Sequence, residues 1–145
     1  METLYDRLIQ EHQMVADLFQ QALRDNSKQT LLKIRQMLEP HMAGEEKIFY
    51  PKLEEKKDLK ELAEHAYEEH DEARSLMKEV ESMEPGERDW TSKLQELQKS
   101  VQHHVQEEET KVFPAAQKVF SDDQAQQMAQ QYMEFKKSSM QAAMK

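Results

Sequence analysis

Four histidines and two glutamates interrupt the apolar stripes of this chain at positions where a stripe would otherwise continue. On each of four amphipathic segments, a step of one or two helical turns along the stripe reaches a histidine. On two of them it also reaches a glutamate four residues later. The six residues are His12, His41, Glu45, His70, His104 and Glu108. Because buried imidazole and carboxylate groups are costly unless they are paired or coordinated, the pattern predicts a buried metal centre.

The choice of metal follows from the types of ligand. The interior positions beside these residues hold no lysine or arginine, since Arg7, Arg24, Arg35 and Arg74 fall off the stripes. Metal cations are therefore the expected partners. A mixed set of imidazoles and carboxylates suits iron better than calcium or magnesium, which prefer oxygen ligands. Zinc stays an alternative, although it usually takes four ligands.

Long helices should position these side chains. With two glycines, four prolines and almost no alternating segments, the chain is predicted to be all-α. Pro40 should kink the second helix, and Asp58 with Glu61 reads as a capping box before the third. The expected helices cover about residues 2–25, 28–54, 59–83 and 90–119, and a fifth, capped by Ser121-Asp122-Asp123, continues to the C-terminus.

Short connections favour an up-and-down antiparallel four-helix bundle with an additional C-terminal helix. Each of the four histidines lies within about two residues of the middle of its helix, at a rise of about 1.5 Å per residue. Helix midpoints share one level in an antiparallel bundle. The six side chains are therefore expected to meet in one layer.

An internal repeat strengthens this prediction. The segment His41-Met42-Ala43-Gly44-Glu45-Glu46 is followed by a proline ten residues after the histidine, and so is His104-Val105-Gln106-Glu107-Glu108-Glu109. Upstream, Glu11-His12 matches Glu69-His70. The chain therefore reads as two copies of one helical hairpin, which favours a symmetric pair of metal sites.

This pattern resembles the hemerythrin-like family, also called the HHE cation-binding domain, over about residues 1–120. The resemblance implies a non-haem centre of two iron ions, with an oxo or hydroxo bridge. It implies that Glu45 and Glu108 bridge the irons. It also implies two terminal pairs of histidines, one on each iron, namely His12 with His41 and His70 with His104.

The chain departs from the family pattern at one position. Oxygen-carrying hemerythrins have a fifth histidine one turn from the position of His70, where this chain has Ala66 and Arg74. His65 lies five residues before His70 and would face away on an ideal helix. A π-bulge would turn it inward. His65 is therefore kept as a candidate fifth ligand.

Several other residues near the site are expected to be structural. His103 points about 100° away from His104 on a helix and is predicted to lie on the surface. Tyr67 is a core aromatic that could also hydrogen-bond to a metal ligand. Glu46, Glu107 and Glu109 are expected to be surface charges, although Glu46 and Glu109 recur in the repeat and could instead support the metal ligands from outside.

Composition limits the classes of function. The absence of cysteine excludes disulfides, zinc sites with thiolate ligands and iron–sulfur clusters, and it weakens a role in cluster repair. A net charge of −9 argues against nucleic acid and anionic membranes as partners. No apolar run has the length of a membrane span and the start is not signal-like, so a cytoplasmic location is expected.

Two functional hypotheses follow from a di-iron centre. The first is a protein that binds O₂, NO or peroxide for sensing, storage or transfer. The alternative is a redox enzyme, with an electron donor, that consumes hydrogen peroxide or NO or oxidises ferrous iron.

The expected domains are a bundle at 1–120 and a C-terminal amphipathic helix at 121–145. That helix should pack on the bundle or on a partner chain, in a monomer or a homodimer. The apolar side of this helix is formed by Ala125, Met128, Ala129, Tyr132, Met133, Met140 and Met144.

Overall fold

A computed structural model describes residues 1–143 of the chain, with side chains through Ser139. No strand occurs among these residues. Met144 and the side chain of Met140, both expected on the apolar side of the last helix, lie outside the described residues. The α-helices are α1 (Leu4–Asp25), α2 (Lys28–Gly44), α3 (Tyr50–Glu54), α4 (Lys60–Glu81), α5 (Trp90–Glu107), α6 (Phe113–Val119) and α7 (Asp122–Ala143).

Two π-helical turns join shorter helices into longer rods. The turn Glu45–Phe49 joins α2 to α3, and the turn Glu108–Val112 joins α5 to α6. Each turn is followed by a proline, Pro51 or Pro114. Proline has no N–H and its ring crowds the carbonyl four residues earlier, so each of these prolines removes one hydrogen bond of the α-helical pattern. A wider turn at each glutamate accommodates the proline.

The helix boundaries add one detail to the sequence prediction and correct another. Helix α2 is α-helical through Pro40 to Gly44, and the first departure from α-helical hydrogen bonding lies at Glu45. Helix α4 begins at Lys60 after a 3₁₀ turn, and its N-cap residue, Leu59, makes no side-chain capping bond. The expected capping box of Asp58 therefore does not form.

The capping predicted for the last helix is present. The Ser121 hydroxyl accepts a hydrogen bond from the backbone N–H of Gln124 at 3.1 Å, and the Gln124 side chain accepts one from the Ser121 N–H at 2.8 Å. This reciprocal pair satisfies two N–H groups that a helix start leaves free. A similar box, made by Thr3 and Asp6, begins α1.

The bundle pairs α1 with α2 and α4 with α5, and the two hairpins meet through α1 with α5 and α2 with α4. Helix α7 packs against α1 and α2. The predicted all-α bundle with an additional C-terminal helix is confirmed. No helix in the described part of the chain combines the length and apolar character needed to cross a membrane.

The apolar core forms two clusters, and polar residues lie between them along each helix. The first cluster includes Leu4, Leu8, Phe49, Tyr50, Ala66, Phe113 and Tyr132, and the second includes Val15, Phe19, Leu38, Met42, Ala73, Trp90 and Val101. On α1, the buried residues between the clusters are Glu11 and His12, and on α4 they are Glu69 and His70. The polar layer therefore divides the core at mid-height.

Gly44 allows α7 to approach the bundle closely. A Cβ atom at this position would lie 2.4 Å from Cε2 and 2.7 Å from Cδ2 of Tyr132. Real atoms do not approach so closely, so only glycine leaves room for the Tyr132 ring. The contact brings the hydroxyl of Tyr132 toward the polar layer.

Candidate metal centre

All six residues singled out in the sequence lie in the polar layer, and none is more than 7% exposed. Their donor atoms form two groups, and within each group the atoms lie within 4.8 Å of one another. The first group is His12, His41 and Glu108, and the second is Glu45, His70 and His104. Interrupted stripes on four separate helices thus meet at one place in the bundle.

Each glutamate lies between histidines of both groups. Oε1 of Glu45 is 3.2 Å from Nε2 of His41 and 3.2 Å from Nε2 of His70. Oε1 of Glu108 is 3.2 Å from Nε2 of His12, and its Oε2 is 3.4 Å from Nε2 of His104. Each carboxylate therefore connects a histidine of one group with a histidine of the other.

The inner donor atoms suit a cation because several have no hydrogen-bond partner. In the described part of the chain, Nε2 of His12, Nε2 of His41, both carboxylate oxygens of Glu45 and Oε1 of Glu108 are buried without a hydrogen bond. Buried polar atoms are rarely left in this state. Once their protons are displaced, these converging nitrogen and oxygen atoms offer lone pairs, and this donor set fits iron or a similar transition metal.

An outer ring of carboxylates holds the other nitrogen of every histidine. Each Nδ1 atom lies 2.7–2.8 Å from a glutamate oxygen. The four pairs are His12 with Glu109, His41 with Glu11, His70 with Glu46, and His104 with Glu69. An Nδ1–H group that donates to a carboxylate directs the lone pair of Nε2 to the inside, as metal-binding imidazoles require.

Glu46 and Glu109 have the second of the two roles considered for them, since each is hydrogen-bonded to a histidine and is not a free surface charge. Glu11 and Glu69 were not predicted to have a role. The repeat contained the signal, because Glu11 and Glu69 precede matched histidines and Glu46 and Glu109 follow matched glutamates. Two copies of the same hairpin produce both halves of the ring.

The outer carboxylate Glu11 is itself anchored by other side chains. Its Oε2 accepts hydrogen bonds from Arg7 at 3.0 Å and from Lys136 of α7 at 2.6 Å, and the Tyr132 hydroxyl donates to its Oε1. Burial opposes ionisation of Glu11, but hydrogen bonds from His41, Lys136 and Tyr132 outweigh it and lower the pKa to about 2. The carboxylate therefore stays charged.

Without a metal, the histidines are held by these negative charges. Burial works against the charged form of His41, but Glu45, Glu11 and Glu108 outweigh it and raise the pKa to about 10. Burial has the same opposing effect at His104, where Glu108, Glu45 and Glu69 raise the pKa well above its ordinary value. A metal ion must therefore displace protons from the metal-free site.

Tyr50 lies inside the centre and was not predicted to do so. Its hydroxyl donates to Oε2 of Glu108 at 2.6 Å, and it lies 3.2 Å from Nε2 of His70 and 3.4 Å from Nε2 of His104. The matching residue in the second repeat is Phe113, which has no polar atom on its side chain. The phenol therefore lies beside the imidazoles of His70 and His104 and reaches the other group through Glu108.

The structure does not bring His65 into the layer. Helix α4 continues without a π-bulge from Lys60 to Glu81, and the His65 side chain is 55% exposed. His65 is therefore not among the residues that the structure brings together in the layer, and its role as a fifth ligand stays a prediction. His103 is on the surface, as expected. The hydroxyl of Tyr67 donates to the backbone oxygen of Glu46 at 3.5 Å and not to a histidine.

A small cavity of about 20 Å³ adjoins the four histidines. A volume above roughly 10–15 Å³ can hold one water-sized molecule. Apart from the histidines and Glu69, the wall is apolar and belongs to the second core cluster and its edge. Its residues are Val15, Leu38, Met42, Ala73, Val101 and Val105.

Together, the bundle and its buried histidine and carboxylate layer define a helical cation-binding protein. The chain belongs to the hemerythrin family, because the model of the hemerythrin HHE cation binding domain matches residues 3–116. The family resemblance inferred from the repeated motif is thereby confirmed.

Two relatives have been compared with the chain. An uncharacterized hemerythrin-like protein of Schizosaccharomyces pombe is 27% identical over 143 residues, which cover 94% of this chain and 70% of that protein. A DNA nickase of Nostoc sp. is 25% identical over 136 residues, covering 89% of this chain and 38% of the nickase. No solved structure matches the chain.

Proposed function

We propose that the chain is a non-haem di-iron protein that binds O₂, NO or peroxide. His12 and His41 would hold one iron, and His70 and His104 the other. Glu45 and Glu108 would bridge the two ions. The observation that carries this assignment is the position of each glutamate, within 3.2–3.4 Å of one histidine from each pair.

The number and type of donors favour iron. Four imidazoles and two carboxylates, shared between two ions, leave positions free on each ion if the geometry is octahedral. Zinc is usually satisfied by four ligands, and calcium and magnesium prefer oxygen. Iron bound here would supply a ferrous–ferric couple and a free position for a small ligand.

The cavity supports a small ligand. Its volume of about 20 Å³ suits a diatomic molecule or peroxide and is too small for an organic substrate. The apolar residues of its wall exclude bulk water from the histidines. Sensing, storage or transfer of such a ligand is the biological role that we propose.

Tyr50 supports a second candidate function, redox turnover of peroxide or NO or oxidation of ferrous iron. Burial raises the pKa of Tyr50 well above its ordinary value, and the charges of Glu108 and Glu45 raise it further. In the metal-free protein the phenol therefore stays protonated and donates to Glu108. A protonated hydroxyl beside the centre could supply a proton or an electron to a bound ligand, which a reversible carrier does not require.

Metal analysis of neighbouring histidine variants tests the assignment. We expect iron in purified wild-type protein, and we expect His41→Ala and His104→Ala each to lose at least one iron per chain. His103→Ala is the matched control, because its side chain is adjacent in sequence to His104 but exposed. Two irons per chain in both site variants would refute the proposed ligands. Loss of iron in the control would mean that His103, and not His104, faces the centre from α5.

Spectroscopy separates the two candidate functions. A reversible binder, reduced and exposed to air, should develop an absorption band that disappears under vacuum and returns with oxygen. A redox enzyme should be oxidised at once and should consume added peroxide or NO through many cycles. The activity of the Nostoc nickase is not part of the proposal, since a chain of net charge −9 has little attraction for DNA.

A further inference from the structure

A third group of metal-binding side chains lies on the surface between α4 and α5. It consists of His65, Glu69 and His103, whose donor atoms all lie within 4.8 Å of one another. Oε2 of Glu69 is 3.3 Å from Nε2 of His65 and 3.2 Å from Nε2 of His103. His65 and Glu69 are four residues apart on α4, so they share one face of that helix.

Glu69 connects this surface group to the buried centre. Its Oε1 accepts a hydrogen bond from Nδ1 of His104 at 2.7 Å, and its Oε2 points outward between the two exposed imidazoles. The side chain is only 8% exposed, and among the described residues its Oε2 has no hydrogen-bond partner. The two imidazole nitrogens lie 3.2–3.3 Å from this oxygen but form no hydrogen bond with it, so a cation between the three atoms would satisfy all of them.

The internal repeat shows what is lacking at Glu69. The equivalent carboxylate in the first half is Glu11, and its outer oxygen binds Arg7 and Lys136. His65 occupies the position that matches Arg7, five residues before the histidine of the motif. In the described part of the chain, no lysine or arginine forms an ion pair with Glu69.

The geometry matches a transition-metal site. A tetrahedral ion with ligands at about 2.1 Å separates neighbouring donor atoms by about 3.4 Å. The two contacts of Glu69 Oε2, at 3.2 and 3.3 Å, agree with this spacing. Two imidazoles and one carboxylate are a common set of ligands for zinc, and they leave a fourth position for water.

We infer that His65, Glu69 and His103 bind one divalent transition-metal ion, separate from the buried centre. The ion takes the place at Glu69 that the side chains of Arg7 and Lys136 hold at Glu11. The exposed side chains of His65 and His103, at 55% and 61%, allow the ion to bind directly from solution.

Zinc binding to the purified protein tests this inference. Wild-type protein with its own iron is dialysed against micromolar Zn²⁺, and zinc and iron are then counted per chain in the same sample. We expect one more zinc ion per chain in the wild type than in His65→Arg or His103→Gln. Loss of a ligand should weaken zinc binding by at least about tenfold, since even outer partners of a metal contribute this much.

His65→Arg is the sharper variant, because it copies the arrangement of Arg7 beside Glu11 and supplies a fixed positive charge. It should bind no zinc at this site and keep the fold and the iron of the wild type. Glu64→Gln, on an exposed neighbouring position of α4, is the matched control and should bind zinc as the wild type does.

Equal zinc content in the wild type and both histidine variants would overturn the inference. The inference would also be overturned if each zinc ion bound were matched by one iron ion lost, to the same extent in the wild type and the variants. The zinc would then be in the buried centre. The comparison is independent of the di-iron proposal. A difference in zinc between wild type and His65→Arg counts even if the protein contains no iron.

Discussion

Tyr50 breaks the symmetry of the centre at the scale of single residues. In the second repeat its position is taken by Phe113, whose ring is parallel to the ring of His12 at a centroid distance of 6.2 Å. The two halves therefore offer similar imidazoles and carboxylates but different neighbours. The hydroxyl of Tyr50 faces Nε2 of His70 and of His104, whereas the hydroxyl of Tyr132 lies at the outer nitrogen, Nδ1, of His41.

Replacement of Tyr50 by phenylalanine tests this difference. Tyr50→Phe should keep the fold and the metal content but change the visible absorption of the oxidised iron-loaded protein, because the hydroxyl lies among the proposed ligands. Tyr67→Phe is the matched control, since the Tyr67 hydroxyl contacts a backbone oxygen outside the layer. Identical spectra for the wild type and Tyr50→Phe would show that the phenol does not act on the metal.

The sequence predicted which residues enter the layer, because polar residues that interrupt an apolar stripe must point inward. It did not predict Tyr50. Tyr50 lies five positions after Glu45, and on an α-helix the side chains of these two residues would face different directions. The π-helical turn closes with a hydrogen bond from the N–H of Tyr50 to the carbonyl of Glu45, so the two side chains come to similar directions.

Two of the outer carboxylates, Glu11 and Glu69, were not predicted for a different reason. Each is next to a histidine in sequence, and a helix turns neighbours about 100° apart, so neither points in the direction of that histidine. Each of them serves a histidine on the adjacent helix, 30 residues away for Glu11 and 35 for Glu69. Helix periodicity alone does not contain such contacts between helices.

At the scale of secondary-structure elements, the approach of α7 depends on Gly44. In Gly44→Ala, the new methyl group would meet the Tyr132 ring, and such overpacking typically costs about 1–3 kcal/mol. We expect a lower melting temperature, although alanine favours the helix by about 1 kcal/mol relative to glycine.

Gly86→Ala is the matched control for Gly44→Ala. No heavy atom of the described chain lies within 4 Å of a Cβ at Gly86, and the backbone φ there is not positive. Its melting temperature should stay close to that of the wild type. An unchanged melting temperature for Gly44→Ala would mean that α7 does not need this close contact.

Prolines in the chain illustrate why the boundaries of elements were harder to predict than their existence. Pro40, Pro51 and Pro114 all follow several helical residues, but only Pro51 and Pro114 come directly after π-helical turns. The carbonyl that each proline frees can be accommodated by different local geometries. Which geometry forms depends on packing around the proline, and composition does not reveal that packing.

At the scale of the whole molecule, the metal-free protein should lose stability at alkaline pH. The pKa of His41 is raised from its ordinary 6.5 to about 10 in the folded protein. A group with a raised pKa contributes its full stabilisation at pH values below its pKa in the unfolded chain. That contribution is lost as pH rises from about 6.5 to 10. Glu11, with a pKa lowered from 4.5 to about 2, contributes above about pH 4.5 and loses its contribution below it.

Thermal unfolding of chelator-treated and metal-loaded protein at several pH values checks this prediction. The metal-free form should have its highest melting temperature between about pH 4.5 and 6.5 and should be less stable at pH 9. The loaded form should be more stable at pH 9, because the metal replaces the protons of the histidines. A metal-free protein that is more stable at pH 9 than at pH 6 would contradict this assignment of charges.

The position of α7 makes the two proposed ion positions unequal in their access to bulk water. On the side of His41, the helix lays Tyr132 and Lys136 over Glu11, whereas on the side of His104 the corresponding carboxylate reaches the surface between two exposed imidazoles. Extraction by a chelator should consequently proceed in two phases. The ion on the His104 side leaves first, and a form with a single ion on the side covered by α7 accumulates between the phases.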